Sequence, residues 1–428
     1  MLFRFSLYGF LKNQRYFEPF LILIFLEKGL SFFWIGLLIG FREVCINVME
    51  IPTGAVADLY GRRRCMVASF AAYIFSFTVF AASTQVWQLF AAMFLFACGD
   101  AFRTGTHKAM ILDWLRRQGR AGAKTKTYGY TRSWSKIGSA ISVVIAAALV
   151  FYRGRYSDVF WFSIPPCVLN LINLGTYPKF LDGELKQATS LKAVVEHLWS
   201  AGGQMLRRVE LRRVLIESMS FDGVYKSVKD YLQPVLKRLA LALPVFIALP
   251  DKQRAAILVG AVYFVLHMLS GTASRQAHRV EERWGGEEPT ARRLWWVLFL
   301  VYGMLVPLLY FQGRTGTVVT AAIVVAFVVL SVLQNIWRPV TVSRYDTHSD
   351  ARFSATILSV DSQAKSIFTM IAAPLLGLTV DLVSPTGVSG AGKNFWPVGL
   401  LGLLVAGAIL ILRRPAQASA MQDEEHRS

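Results

Sequence analysis

The chain has 428 residues, 54% of them hydrophobic and 17% charged, with a mean hydropathy of +0.43. Soluble domains are usually about 45–50% apolar and about 25% charged, so this composition argues against a soluble domain. The formal net charge of +19 would suggest a nucleic-acid partner in a soluble protein; in a membrane protein such charge collects in cytoplasmic loops, and no nucleic acid is expected.

The apolar residues come in blocks near the roughly 20 needed to cross a bilayer as a helix. Taken in chain order they predict twelve spans, at 5–27, 33–57, 65–83, 87–112, 129–151, 157–177, 212–236, 254–275, 293–311, 315–341, 353–382 and 396–413. The N-terminal MLFRFSLYGFLKNQRYF has no small-residue cleavage site after a short apolar core, so the first helix is expected to remain uncleaved. The second span carries GLLIG, Gly36 to Gly40, a spacing of small residues that suits close helix packing. It also carries Arg42 and Glu43. Between the second and third spans stands GAVADLYGRRRC, with three consecutive arginines in otherwise apolar sequence. The fourth span holds Asp100, Arg103, His107 and Lys108, of which 100, 103 and 107 would share a helical face. The fifth has Arg132 and Lys136, four apart. Cys45, Cys65, Cys98 and Cys167 show no CxxC spacing and read as reduced, structural residues.

The longest hydrophilic connection, about 178–211, separates six spans from six. Within it Leu191, Val194, Val195 and Leu198 recur at helical spacing behind a possible Ser190 cap, which predicts an amphipathic helix on the membrane surface. The seventh span carries Asp222, Lys226, Lys229 and Asp230, expected on one face; the tenth has Arg338 before Pro339; the eleventh has Asp361 and Lys365, four apart. GVSGAGKN, from Gly387, matches a P-loop only until Asn394, where a Ser or Thr should hold magnesium, and no strand precedes it. It reads as a flexible connection. The tail beyond residue 413 is polar and expected to be disordered.

Basic residues cluster in alternate connections: Arg62, Arg63 and Arg64; Arg116, Arg117 and Arg120; Lys179, Arg207 and Arg208; Arg275, Arg279 and Arg283. The intervening connections are poorer in them, apart from the basic stretch at 237–252. The positive-inside rule therefore places the first set and both termini in the cytoplasm.

GAVADLYGRRRC resembles the loop signature of the major facilitator superfamily, with Gly54, Asp58, Gly61, Arg62, Arg63 and Arg64 in its G-x-x-x-D-x-x-G-R-[RK]-[RK] pattern. The preceding MEIPTG is similar to a bacterial subgroup whose members are often efflux proteins. The resemblance implies that Asp58 faces the N-terminus of the eleventh helix near Ser349–Ala355, a favourable place for a carboxylate, as part of a latch stabilising the outward-open state. Asp113 is a candidate partner for Arg62 or Arg63. The corresponding loop of the second half, GTASRQAHRVEERWG, lacks D-x-x-G-R, so no symmetrical second latch is expected. Similar efflux proteins often have acidic residues where His107 and Lys108 stand, which makes a cationic cargo a poor expectation.

A charge at the centre of a spanning helix costs about 2.5–3.5 kcal/mol on insertion scales. The charges of the spans should therefore face an aqueous cavity or one another. Arg42, Glu43, Asp100, Arg103, His107, Lys108, Asp222, Lys226, Arg338, Asp361 and Lys365 are the candidate substrate or proton pathway. Asp100, Asp222 and Asp361 are candidate proton carriers, although their neighbouring cations oppose the rise in pKa that burial brings. Arg132 and Asp230, near helix ends, are expected to serve structure alone.

These observations predict an all-α polytopic membrane protein: a six-helix half at 1–177, a linker at 178–211, a second half at 212–413 and a tail at 414–428. No HExxH, zinc-spaced cluster or nucleophile triad is present, so no enzyme, metal or cofactor is expected. The expected function is secondary transport by alternating access, first as proton-coupled export of an organic anion or amphiphile. Uptake of an anionic or zwitterionic metabolite is the alternative. A non-transporting sensor or scaffold would call for a large folded cytoplasmic domain or a long tail, and neither is visible. The expected setting is the inner (plasma) membrane, with the bilayer, a small solute and protons as partners, and the chain a monomer.

Overall fold

The computed structural model describes residues 1–104, 106–120, 124–182, 203, 206–312, 316–348, 354–384 and 393–413, without the side chains of 51, 52, 54, 55, 57–59, 124–126 and 354–356. The predicted surface helix at 190–198, most of GVSGAGKN and the tail lie outside the described residues.

Helices dominate because a bilayer leaves backbone polar groups no partner but the segment itself. Among the described residues they arrange as twelve spans in two six-helix halves, the architecture predicted from the sequence. The first span is α1 (Leu2–Lys12) and α2 (Leu21–Glu27), joined by a single turn at Glu18–Phe20. The second and third are α3 (Phe32–Tyr60) and α4 (Arg62–Ala82). The fourth is α5 (Val86–Arg103) followed by α6 (Thr106–Arg117). The fifth and sixth are α7 (Lys124–Arg153) and α8 (Val159–Gly175). The seventh is α9 (Val209–Val228), a turn at Lys229–Tyr231, and α10 (Leu232–Ala242). The last five are α11 (Asp251–Arg283), α12 (Glu287–Phe311), α13 (Thr317–His348), α14 (Ser354–Leu382) and α15 (Trp396–Leu412).

Three spans predicted as continuous helices are interrupted. The first breaks over residues 13–17 ahead of Pro19, which lacks an N–H and starts the new turn. The break leaves backbone groups in need of partners. Gln233, fully buried in the seventh span, supplies them: its amide donates to Glu18 O at 3.0 Å and accepts from Ile22 N–H at 2.7 Å. The seventh span breaks before Pro234, so Asp222 and Lys226 lie on one helix and Lys229 and Asp230 on the turn after it. The fourth breaks after Arg103, and His107 therefore leaves the helical face of Asp100.

The two halves meet on the face opposite the arginine-rich connections. The glycines of GLLIG let the second span press against the eleventh at Ala373 and Pro374, as the spacing predicts. Gly377 sits as closely against Phe32 and Phe33. Asp381 accepts the Phe33 N–H at 2.8 Å at the start of α3 and pairs with Lys393. Gly260 and Ala147 bring the eighth and fifth spans together; a Cβ on Gly260 would stand 2.5 Å from that of Ala147. Lys252 binds Glu27 at 2.6 Å, and Gln253 binds Phe151 O at 3.0 Å. Toward the arginine-rich face, hereafter the basic face, cavities separate the halves.

Candidate functional site

The loop between α3 and α4 turns on Gly61, whose φ of +96° suits glycine alone. A Cβ there would also lie 2.7 Å from Asp182 Oδ1. Asp182, just after the sixth span, accepts the Arg63 N–H at 3.0 Å, placing a carboxylate on the first turn of α4, where free N–H groups favour it. Its second oxygen stands 3.5 Å from Arg63 Nε. Arg63 also donates to the carbonyls of Gly175 and Tyr177. Arg62 pairs with Asp113 at 2.6 Å, the pairing predicted from sequence. Arg64 is exposed. The described partners of Arg62 and Arg63 belong to the first half or, in Asp182, to the start of the linker that follows it. The side chain of Asp58 and residues 349–353 lie outside what the structure describes.

The charges within the spans resolve into three ion clusters and one group of cations. Asp100 accepts from Tyr73 Oη at 2.6 Å and from Arg103 at 2.7 Å, with Arg15 at 3.7 Å. Glu43 binds Arg42 at 2.8 Å and, across the interface between halves, Lys226 at 3.6 Å. Lys365 lies 2.6 Å from Asp222 and 2.7 Å from Asp361, while Tyr345 donates to Asp361 at 2.9 Å. Each of the three candidate proton carriers thus already has a cation. Asp230 pairs with Lys229 at 3.2 Å.

The remaining cations are different. A cavity of about 500 Å³ in the first half is lined by Lys12, Arg103, Lys108, Arg132, Lys136 and Arg338, with Tyr8, His107 and Tyr128. A second, of about 680 Å³, continues between the halves along Arg132, Lys136, Asn335, Arg338 and Tyr345, with Asp346 as its one lining carboxylate among the described residues. Among the described residues, no carboxylate lies within 4 Å of Lys12, Lys108, Arg132, Lys136 or Arg338. Lys108 rests over the Tyr128 ring, 5.7 Å from its centroid. His107 stacks on Tyr8 at 3.7 Å, with its Nε2 buried and unpartnered. An excess of cations over carboxylates in a site with low-dielectric walls attracts negative charge.

Arg132, expected to serve structure alone, lines both cavities. Lys12, Arg15, Tyr8 and Tyr73 escaped the sequence reading. Lys12 and Arg15 fall inside the predicted first span, and the break after Lys12 leaves Lys12 on the cavity and Arg15 beside Asp100. Among the described residues, no group of three His, Cys, Asp or Glu side chains could hold a metal ion.

The Major Facilitator Superfamily model matches residues 11–362. The "Uncharacterized MFS-type transporter YxaM" of Bacillus subtilis (strain 168) is 23% identical over 230 residues, covering 53% of this chain and 56% of that protein. The match thus spans little more than half of that relative. Nucleoside transporter NupG superposes with a TM-score of 0.73 at 12% identity, covering 96% of each chain. A POT family transporter in complex with 5-aminolevulinic acid gives 0.70 at 14% identity, covering 96% of this chain and 95% of the other. At such identities the likeness is one of fold.

Proposed function

The chain belongs to the Major Facilitator Superfamily, and from that premise we propose that it carries a small organic anion across the inner membrane by alternating access. The observation that carries this reading is the two cavities that share Arg132, Lys136 and Arg338, the first also lined by Lys12 and Lys108; among the described residues none of these five cations has a carboxylate within 4 Å. The positive-inside rule makes the basic face cytoplasmic, so the halves are closed outside and the site loads from within. That favours export. Proton coupling would run through Asp100, Asp222 or Asp361, each released from its cation by substrate or by rearrangement. The signature loop would act as a latch when Asp58 meets the eleventh helix, with Arg62 and Arg63 holding the loop to its own half.

A second reading, uptake of a zwitterionic metabolite, draws support from the fold neighbour bound to 5-aminolevulinic acid, a molecule with both charges.

The test is a solute panel offered to purified protein in phosphatidylcholine liposomes under imposed pH gradients of both signs. Organic anions should move, with the gradient setting the rate, and Lys136→Gln and Arg338→Gln should each reduce that movement while the protein stays folded. Movement of cations alone, or anion flux indifferent to both substitutions, would overturn the assignment.

A further inference from the structure

The fifth and eighth spans touch at Ala147 and Gly260 and then diverge toward the basic face. From Ala147 to Ile137 is ten residues, about 15 Å of helix at 1.5 Å per residue. There the two helices enclose a crevice of about 500 Å³, lined among others by Gly129, Ile137, Met268 and Gly271. No atom lies within 4 Å of where a Cβ would stand on Gly129 or on Gly271, so their missing side chains leave the gap open. Next to the crevice, Ile141, Val144 and Val265 are exposed, and exposed apolar side chains on spanning helices belong against lipid. At its inner end are Arg132 and Lys136, the same two cations that line the cavity between the halves.

We propose that this crevice is a lateral entrance, through which an amphiphile with an anionic head and an apolar tail passes from the basic-face leaflet into the cationic cavity. The inference rests on the anion-transport reading and narrows its substrate class. A wholly polar anion would leave Ile137 and Met268 unmatched. A neutral hydrocarbon would leave Arg132 and Lys136 uncompensated. A molecule with one end of each kind satisfies both, with its tail between the helices and its head at the cations.

The experiment uses full-length protein in phosphatidylcholine liposomes and two radiolabelled probes with the same head, butyl phosphate and dodecyl phosphate. Vesicle filtration follows the first, and extraction of the outer leaflet by albumin follows the second. Wild type should move both. Gly271→Phe or Gly129→Phe, which fill open space, should abolish movement of dodecyl phosphate and leave butyl phosphate unchanged. Gly271→Leu serves as the smaller plug if a phenylalanine variant does not elute as folded protein. Wild type that moves butyl but not dodecyl phosphate overturns the entrance and leaves the anion reading standing. Plugged variants that slow both probes alike, or neither, also overturn it. Wild type that moves neither probe nor any other organic anion removes both readings.

Discussion

A single amide illustrates how much depends on individual polar side chains here. Gln233 holds both backbone groups freed by the break in the first span, and it does so across the interface between halves. Gln233→Leu leaves the Ile22 N–H and the Glu18 carbonyl without their partner, at about 1–3 kcal/mol for each group so stranded. The purified variant should unfold at a clearly lower temperature than wild type; an unchanged midpoint would mean that other groups or water replace the amide. Glu217 has a comparable role at the basic face. It is 2% exposed and binds the fully buried Arg344 at 2.8 Å and Arg413 at 2.7 Å. Breaking such a pair from one side costs about 3–5 kcal/mol, because the surviving charge stays buried. Glu217→Leu should therefore lower folded yield severely, and normal yield with a normal melting curve would refute the assignment. Neither residue was legible in the sequence. A glutamine before Pro234 and a glutamate near a helix start carry no pattern, and their importance comes from partners tens to hundreds of positions away.

At the level of elements, the loop at 54–65 was the most legible feature, and the pairing of Arg62 with Asp113 followed from it. The role of Asp182 did not, because nothing in the spacing ties residue 182 to residue 63. Gly61→Ala forces a side chain into a φ of +96° and against Asp182. It should cost about 1–3 kcal/mol, visible as a lower thermal midpoint, and the idea fails if the variant melts with wild type. The extents of the spans were also legible, since apolar length decides them. The breaks after Lys12, Arg103 and Val228 were not. Pro19 and Pro234, near the first and last of these breaks, mark a new first turn as readily as an end, and no proline stands near Arg103.

Across the whole molecule, twelve spans, two halves and the polarity of the connections could be read from hydropathy and charge. The side on which the halves part could not, because one sequence must serve both arrangements. Here the second and eleventh spans are drawn together by Gly36, Gly40 and Gly377. Gly36→Val should drive the far-side closure apart and shift the population toward the opposite arrangement. Spin labels at Thr84 and Val318 should report a longer distance by pulsed resonance, and an unaltered distribution in folded protein would count against this account. The lysines and arginines that line the cavities have a further, electrical consequence. A charge that crosses the full membrane potential changes in energy by about 2.3 kcal/mol per 100 mV, and alternating access moves the field past charges that themselves stay in place. With the cell interior negative, the potential holds an empty, cation-lined carrier facing inward, and a bound anion cancels part of that hold. Cargo would then act as the counter-charge that frees the carrier to turn, and turnover without cargo should be voltage-dependent.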